Sequence, residues 1–274
     1  MIPIFLILAI VSVCINIYIN FLIAMYIVNT MFQIYIIIGL IIIALLIIII
    51  LLFRHDISVY NWFQHDAGLQ NKPLHIRSGW GYLSEKHFNE MTDSWLHKMN
   101  PPITQNESVF ELGCGVGAIL SYISNRLISD GSNNQHTGRT SILVGGSDFS
   151  PNAIQVAKDI FKSDNFYCLN MIDNHPIPDN SIDHVISAGA LGMYLKKEEM
   201  ILAIKEAVRM TKIGGSLCFT HFLEKNGRNN GSIVDRVDMS YWISSKNDLG
   251  IDNIVFGRLK HQGDRYFFTC TKKL

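Results

Sequence analysis

Ser108-Val-Phe-Glu-Leu-Gly-Cys-Gly-Val-Gly-Ala-Ile-Leu120 is the stretch whose reading decides the fold. Val109, Phe110 and Leu112 favour a short buried strand. Gly113, Gly115 and Gly117 follow at every second position, and without side chains there the backbone can turn tightly and lie close to a ligand. Ala118-Ile119-Leu120 and Tyr122-Ile123 then open an apolar helical face. A helix beginning there adds free N–H donors and a partial positive charge. Glu111, two residues before the first glycine, separates this E-x-G-x-G-x-G spacing from the dinucleotide fingerprint G-x-G-x-x-G. A carboxylate at that point suits a cationic amino-acid ligand better than a pyrophosphate.

Further along, residues 142–147 read as a second strand that ends in Asp148-Phe149-Ser150-Pro151. Ser150 is placed to cap the next helix, with Pro151 in its first position. An acid at the end of the second strand can accept from both hydroxyls of a ribose; the alternative is a charge at a helix N-terminus. Asp148 lies further from the glycines than the roughly 20 residues of dinucleotide folds, because residues 129–141 form a polar insertion.

The segment around Glu111 resembles motif I of the S-adenosylmethionine-dependent methyltransferases with the Rossmann-like fold, specifically the small-molecule kind with a type 11-like domain. The G-x-D-x-S at 146–150 is similar to that family's second motif, and the P-D-N-S-x-D at 178–183 is similar to a segment common in its small-molecule members. The resemblance covers residues 80–274. It implies an α/β fold: a doubly wound, mostly parallel seven-stranded sheet with a C-terminal antiparallel hairpin. It implies S-adenosylmethionine as cofactor, held by Glu111, Gly113, Cys114, Gly115, Gly117, Asp148, Phe149, Met171, Ile172, Asp173 and Ser187. One departure stands out. In the family a Gly-Asp pair follows the third strand and its Asp binds the adenine amino group; here Asn170 and Met171 occupy those places. Adenine contacts then fall to Asp173 or to backbone groups of Met171 and Ile172, while a plain solvated loop charge is the other reading of Asp173.

The remaining pattern fits the same order of elements. Residues 165–170 read as the third strand and 184–188 as the fourth, with Ser187 at the carboxyl end where open α/β sheets hold ligands. Residues 196–211 read as an amphipathic helix, 212–215 as its glycine stop, and 216–220 as the fifth strand. Residues 233–240 suggest a helix, and 254–259 and 266–271 a closing pair of strands. Methyl transfer from a sulfonium leans on alignment more than on acid–base groups, so no catalytic residue is assigned. Tyr194 and His221 are candidates by position: Tyr194 faces the methyl group or simply packs, and His221 handles a proton or is structural. No metal ligand set is expected.

The first 53 residues contain no Asp, Glu, Lys, Arg or His, so all 23 basic and 23 acidic residues come later. Residues 34–53 are unbroken apolar sequence apart from Gly39, and about 20 such residues span a bilayer. With Asn29, Thr30 and Gln33 read as a turn, the expectation is a transmembrane helical hairpin, helices at about 4–28 and 32–53. One span preceded by an interfacial segment is the alternative, and a signal peptide fits poorly for want of a basic start. Arg54, His55, Lys72 and Arg77 after the apolar block put the following domain on the cytoplasmic side by the positive-inside rule. Five cysteines, one of them within the apolar block, form no secreted-type framework.

The expected organisation is therefore a membrane anchor at 1–53 and an aromatic-rich lead-in at 54–100, with a capped helix from Glu85 carrying Phe88, Met91, Trp95 and Met99 on one face. The methyltransferase domain follows at 101–274. The expected partners are the membrane and a small-molecule or lipid-like acceptor; the sequence leaves oligomeric state open. A net charge of zero and the lack of a basic stripe give no footprint for nucleic acid. A nicotinamide oxidoreductase is disfavoured by the spacing around Glu111, and a catalytically silent scaffold has only the missing adenine Asp in its favour.

Overall fold

The computed structural model describes residues 4–52, 72–77, 84–130, 143–223, 237–263 and 265–274. The chain divides into two compact units, Met1–Tyr60 and Asn61–Leu274. In the first, α1 runs without interruption over Ile4–Leu52, 49 residues. This corrects the expected hairpin. Asn29, Thr30 and Gln33 are polar, but none is the Gly or Pro that interrupts helices. The Thr30 hydroxyl donates back to the Tyr26 carbonyl at 2.8 Å, so its polar group is satisfied inside the helix. Within α1, Ile15–Ile48 is long and apolar enough to cross a membrane, by length and composition. Arg54 and His55, and Tyr60, Trp62, Phe63, Trp80 and Tyr82 of the lead-in, lie outside the described residues.

The second unit is built on a seven-stranded sheet. Its strands are β1 (Ser108–Leu112), β2 (Leu143–Asp148), β3 (Phe166–Cys168), β4 (Ile182–Ser187), β5 (Thr211–Leu223), β6 (Ile251–Arg258) and β7 (Arg265–Lys272). Their spatial order is β3-β2-β1-β4-β5-β7-β6. The first five are mutually parallel and β7 runs antiparallel to both β5 and β6. All five residues of β1 are buried, as a central parallel strand covered on both faces requires. Alternation sends Phe110 to one core with Leu217, Phe219, Trp242 and Phe268, and Val109 to the other with Trp95, Ile119, Ile154 and Phe267.

The helices in order are α2 (Glu85–Leu96), α3 (Ala118–Asp130), α4 (Pro151–Phe161), the short α5 (Leu191–Tyr194), α6 (Lys197–Met210) and α7 (Met239–Leu249). Ser84 caps α2 by accepting from His87 N–H at 3.3 Å, and Phe88, Met91 and Trp95 are buried beneath it. That face is core packing. Ser150 caps α4 through Ala153 N–H with Pro151 in the first turn, as the sequence indicates. Two boundaries differ from expectation. The glycine stop proposed at 212–215 is not a stop: α6 ends at Met210, β5 begins at once at Thr211, and the Ile182–Thr211 and His184–Ser216 pairings leave these residues as a bulge. The helix expected at 233–240 is instead α7 at Met239–Leu249, capped by Asp238; residues 233–236 and the loop 224–232 are outside the described residues, as is most of the polar insertion.

The P-D-N-S-x-D run lies at the opposite end of the sheet from the glycine turn and is structural. Asp179 pairs with Arg209 at 2.6 Å, and Asn180 Oδ1 accepts from Lys272 Nζ at 2.6 Å. Asp183 accepts from Lys212 Nζ at 2.6 Å and from the Ser108 hydroxyl at 2.7 Å. Together they tie the starts of β1, β4 and β5 to the end of β7.

Candidate active site

The strand order reverses between β1 and β4, so a crevice is expected at their carboxyl ends. The glycine turn lies there. Gly113 N–H and Cys114 N–H both donate to the Ser147 carbonyl, at 2.7 and 2.9 Å, which hangs the turn on the end of β2. Gly113 has φ +72°, and any Cβ there would collide with Ala190 while coming within 3.1 Å of Met171 Cε. The turn is thus pressed between the start of α5 and the segment after β3, and only glycine fits.

Glu111 is the most unusual group in this region. It is 1% exposed, receives the Ala188 N–H, and its Oε2 has no hydrogen-bond partner among the described residues. Burial, with Asp148 adding to it, pushes the Glu111 carboxyl well above the usual range. Asp148 is 5% exposed. Its Oδ2 accepts from Gly115 N–H and its Oδ1 from Ser150 N–H, each at 2.9 Å. Cys114, buried between these two acids, has its thiol raised by burial and then by both carboxylates. A pocket with two buried carboxylates is suited to a cation.

Of the other expected site residues, Met171 is buried against the glycine turn and Phe149 and Ile172 are half-buried. Ile172 N–H donates to Asn170 Oδ1 at 3.3 Å. Asp173 is exposed and its carboxylate accepts from Asn170 N–H at 2.9 Å, so it closes its own turn. Ser187 is buried and its hydroxyl accepts from Leu191 N–H at 3.3 Å, beginning α5.

His221 sits inside β5, where its pairing with β7 slips between Phe219 and Phe222. It is fully buried with φ +71°, an αL conformation that a histidine holds only when its surroundings impose it. Gly192 of α5 imposes it: a Cβ there would lie 2.7 Å from the His221 carbonyl carbon and from Thr220 O. Thr220 Oγ1 accepts from Gly189 N–H at 2.9 Å and contacts His221 Nδ1 at 2.5 Å. Burial, then the Arg265 charge, holds the His221 imidazole well below its ordinary pKa, so it is neutral at pH 7. Tyr194, half-buried at the end of α5, has its phenol raised by burial and by Asp148, against a lowering influence of Arg265.

Sequence reasoning missed one support. His175 Nδ1 faces two acceptors, Asp173 O at 2.9 Å and Glu206 Oε1 at 3.2 Å. It therefore carries the proton, leaving Nε2 to accept from the Ser147 hydroxyl at 2.8 Å. Arg209 in turn grips Glu206 through Nε and Nη2, at 2.8 and 2.7 Å. This chain links α6 to the same Ser147 that carries the glycine turn. No local spacing signals it, because His175 lies 31 residues from Glu206 and 28 from Ser147. Among the described residues, no group of three His, Cys, Asp or Glu is arranged to hold a metal ion.

The family described as "Methyltransferase domain", type 11, matches residues 110–219, from the middle of β1 into β5. The chain carries that domain, and it is an S-adenosylmethionine-dependent methyltransferase of the Rossmann-like class. Solved structures share the fold. One is the putative methyltransferase of the Haloferax volcanii complex with the activator Trm112: TM-score 0.55, 15% identity, covering 78% of this chain and 98% of that one. The [4+2]-cyclase SpnF gives TM-score 0.53 at 16% identity, covering 71% and 84%. A TehB-like SAM-dependent methyltransferase from Corynebacterium glutamicum gives 0.51 at 17%, covering 77% and 99%. No functionally curated protein matches the chain by sequence.

Proposed function

We propose that this methyltransferase binds S-adenosylmethionine in the crevice above β1 and β4, and that it methylates a small or lipid-like acceptor while α1 holds it at a membrane. The observation that carries the cofactor site is Glu111, a buried carboxylate with one oxygen free of hydrogen bonds among the described residues. Leaving such a group buried costs free energy, and a cationic ligand removes the cost. When bound, S-adenosylmethionine supplies a methyl group on a sulfonium whose leaving group is a neutral thioether.

In this reading Glu111 faces the amino-acid end of the cofactor, and the backbone of 113–117 lies against it without intervening side chains. Asp148 keeps its two N–H donors and also accepts from the ribose. Phe149, Met171 and Ile172 flank the adenine, and Cys114 and Ser187 line the crevice. Asp173, engaged with Asn170, bounds the adenine end. Tyr194 and His221 lie on the acceptor side. A neutral His221 is able to accept a proton from an acceptor that must lose one, while alignment and exclusion of water supply most of the rate. The apolar length of α1 and the basic residues that follow it support a membrane location with the domain in the cytosol.

The test is titration calorimetry of the full chain in a neutral detergent. Binding of S-adenosylmethionine and not of NAD is expected, and the converse would overturn the site. Tritium transfer from labelled cofactor to fractions of a cell lysate then tests the acceptor. Label confined to protein or nucleic acid would refute a small or lipid-like one.

A further inference from the structure

Arg265 opens β7, opposite Leu223 and two residues past His221 in the β5–β7 ladder. Because β7 is antiparallel to β5, its first residue lies at the carboxyl end of the parallel strands, where the crevice is. The other described arginines with printed partners are matched to acids: Arg126 to Asp93, and Arg209 to Glu206 and Asp179. Arg265 is half-buried, and its guanidinium makes no ion pair among the described residues. The side chains that feel its charge are the Tyr194 phenol and the His221 imidazole, and burial lowers its own pKa. Tyr194 also feels the Asp148 charge. The carboxyl ends of the strands thus carry two buried carboxylates at the glycine turn and a partly desolvated cation at the β5–β7 edge.

A half-buried guanidinium without a counter-ion is costly, and its planar donor fork matches a carboxylate or phosphate. From the placement of Arg265 at the carboxyl end of β5, across the ladder just past the His221 bulge, we infer that the acceptor carries an anionic group, a carboxylate or a phosphate, and that Arg265 binds it. The inference rests on the cofactor site proposed above. It makes Arg265 a specificity determinant: the cofactor's cationic end goes to Glu111 and the acceptor's anionic end to Arg265, which orients the two reactants in opposite senses across the crevice.

The test uses the full chain in neutral detergent, saturated with S-adenosylhomocysteine. Methyl phosphate and acetate are titrated against the wild type, Arg265→Gln and Arg265→Lys. At least one probe is expected to bind the wild type. Arg265→Gln is expected to lose about ten-fold or more in its affinity, and Arg265→Lys to retain part of it. Should Arg265→Gln fail to fold, phenylglyoxal modification of the wild type, mapped by peptide mass, gives the same answer: the probe must protect Arg265. Dihexanoyl phosphatidic acid separates the sources of the anion. Arg265-dependent binding tighter than that of methyl phosphate assigns a lipid headgroup, and equal binding assigns a soluble anion. Probe binding that is absent, or unchanged in Arg265→Gln, overturns the inference. Calorimetry of S-adenosylhomocysteine on the same samples keeps the two readings apart: if the wild type does not bind it, the cofactor site itself falls.

Discussion

Gly115 N–H donates to the Asp148 carboxylate at 2.9 Å, joining the middle of the glycine turn to the end of the neighbouring strand. Asp148 therefore shapes the turn before any ligand arrives. Asp148→Ala removes the acceptor of two buried N–H groups as well as the proposed ribose contact. Its cofactor affinity is expected to fall by about 1–3 kcal/mol, with a lower melting temperature in the absence of ligand. Asp148→Asn keeps one carbonyl acceptor and should melt nearer the wild type. Calorimetry and a thermal melt check both, and unchanged affinity in Asp148→Ala would remove it from the site.

Glu111 is expected to show the opposite combination. Its carboxyl is raised well above the ordinary value, so the ligand-free protein loses stability as pH rises from the unfolded-state value through the raised one. At a pH above the raised value, Glu111→Gln should melt higher than the wild type without ligand, because a buried charge has been removed, and at any pH it should bind S-adenosylmethionine more weakly. A cationic ligand favours the ionised carboxylate and so expels a proton. Calorimetry in buffers of different ionisation enthalpy should detect proton release in the wild type and less of it in Glu111→Gln. Equal proton release in the two proteins would detach Glu111 from cofactor binding.

How much of this was legible follows from the range of the forces involved. The glycine turn, the Ser150 cap and Asp148 are local patterns, and β1, β2 and α4 stand where those patterns put them. The hairpin reading failed because a polar residue within an apolar helix is not a break when its hydroxyl reaches the carbonyl four residues back, as Thr30 does. Gly214 and Gly215 read as a helix stop but serve a bulge, because the pairing of β5 with β4 overrides the local signal. The His175–Ser147 contact and the αL strain at His221 arise only when distant segments meet. Composition marks neither.

The contact of α5 with the His221 bulge gives a further test. Gly192→Ala places a methyl group 2.7 Å from the backbone of Thr220 and His221, closer than real contacts allow. The helical turn or the bulge must move, and both candidate acceptor-side residues move with it. Methyl transfer is expected to drop by an order of magnitude or more while S-adenosylmethionine affinity stays within about two-fold. Loss of both together would mean that the bulge supports the cofactor half as well.

Asp183 offers a stability readout remote from the crevice. Burial alone would raise its carboxyl, but the Lys212 ammonium and the Ser108 hydroxyl and N–H hold it at about 2. A carboxyl depressed in the folded state stabilises above its unfolded value of 3.8. That contribution disappears as pH falls from there to about 2. Allowing for the partial exposure of Lys212, the contribution at neutral pH is on the order of 1–2 kcal/mol. Asp183→Asn should flatten the acid limb of a urea-unfolding series over that window and leave cofactor affinity untouched. An unaltered limb would show that the pair adds nothing.

The length of α1 makes a prediction about which part of it crosses the membrane. At 1.5 Å per residue its 49 residues extend about 74 Å, against roughly 30 Å of hydrocarbon. Not all of it can lie in the hydrocarbon as one straight span. Ser12, Asn16 and Asn20 all fall in the first half, whereas residues 34–52 contain no polar side chain but the Tyr35 phenol. The proposed span is therefore the second half. A lysine near the centre of a spanning helix costs about 2.5–3.5 kcal/mol on insertion scales, and much less where a helix lies near the interface. Ile42→Lys should accordingly release a large share of the full chain into the carbonate supernatant, while Asn20→Lys remains in the pellet. The reverse pattern would move the span to the first half. Release of the wild type by carbonate would remove the anchor altogether and leave α1 to be covered by another protein surface.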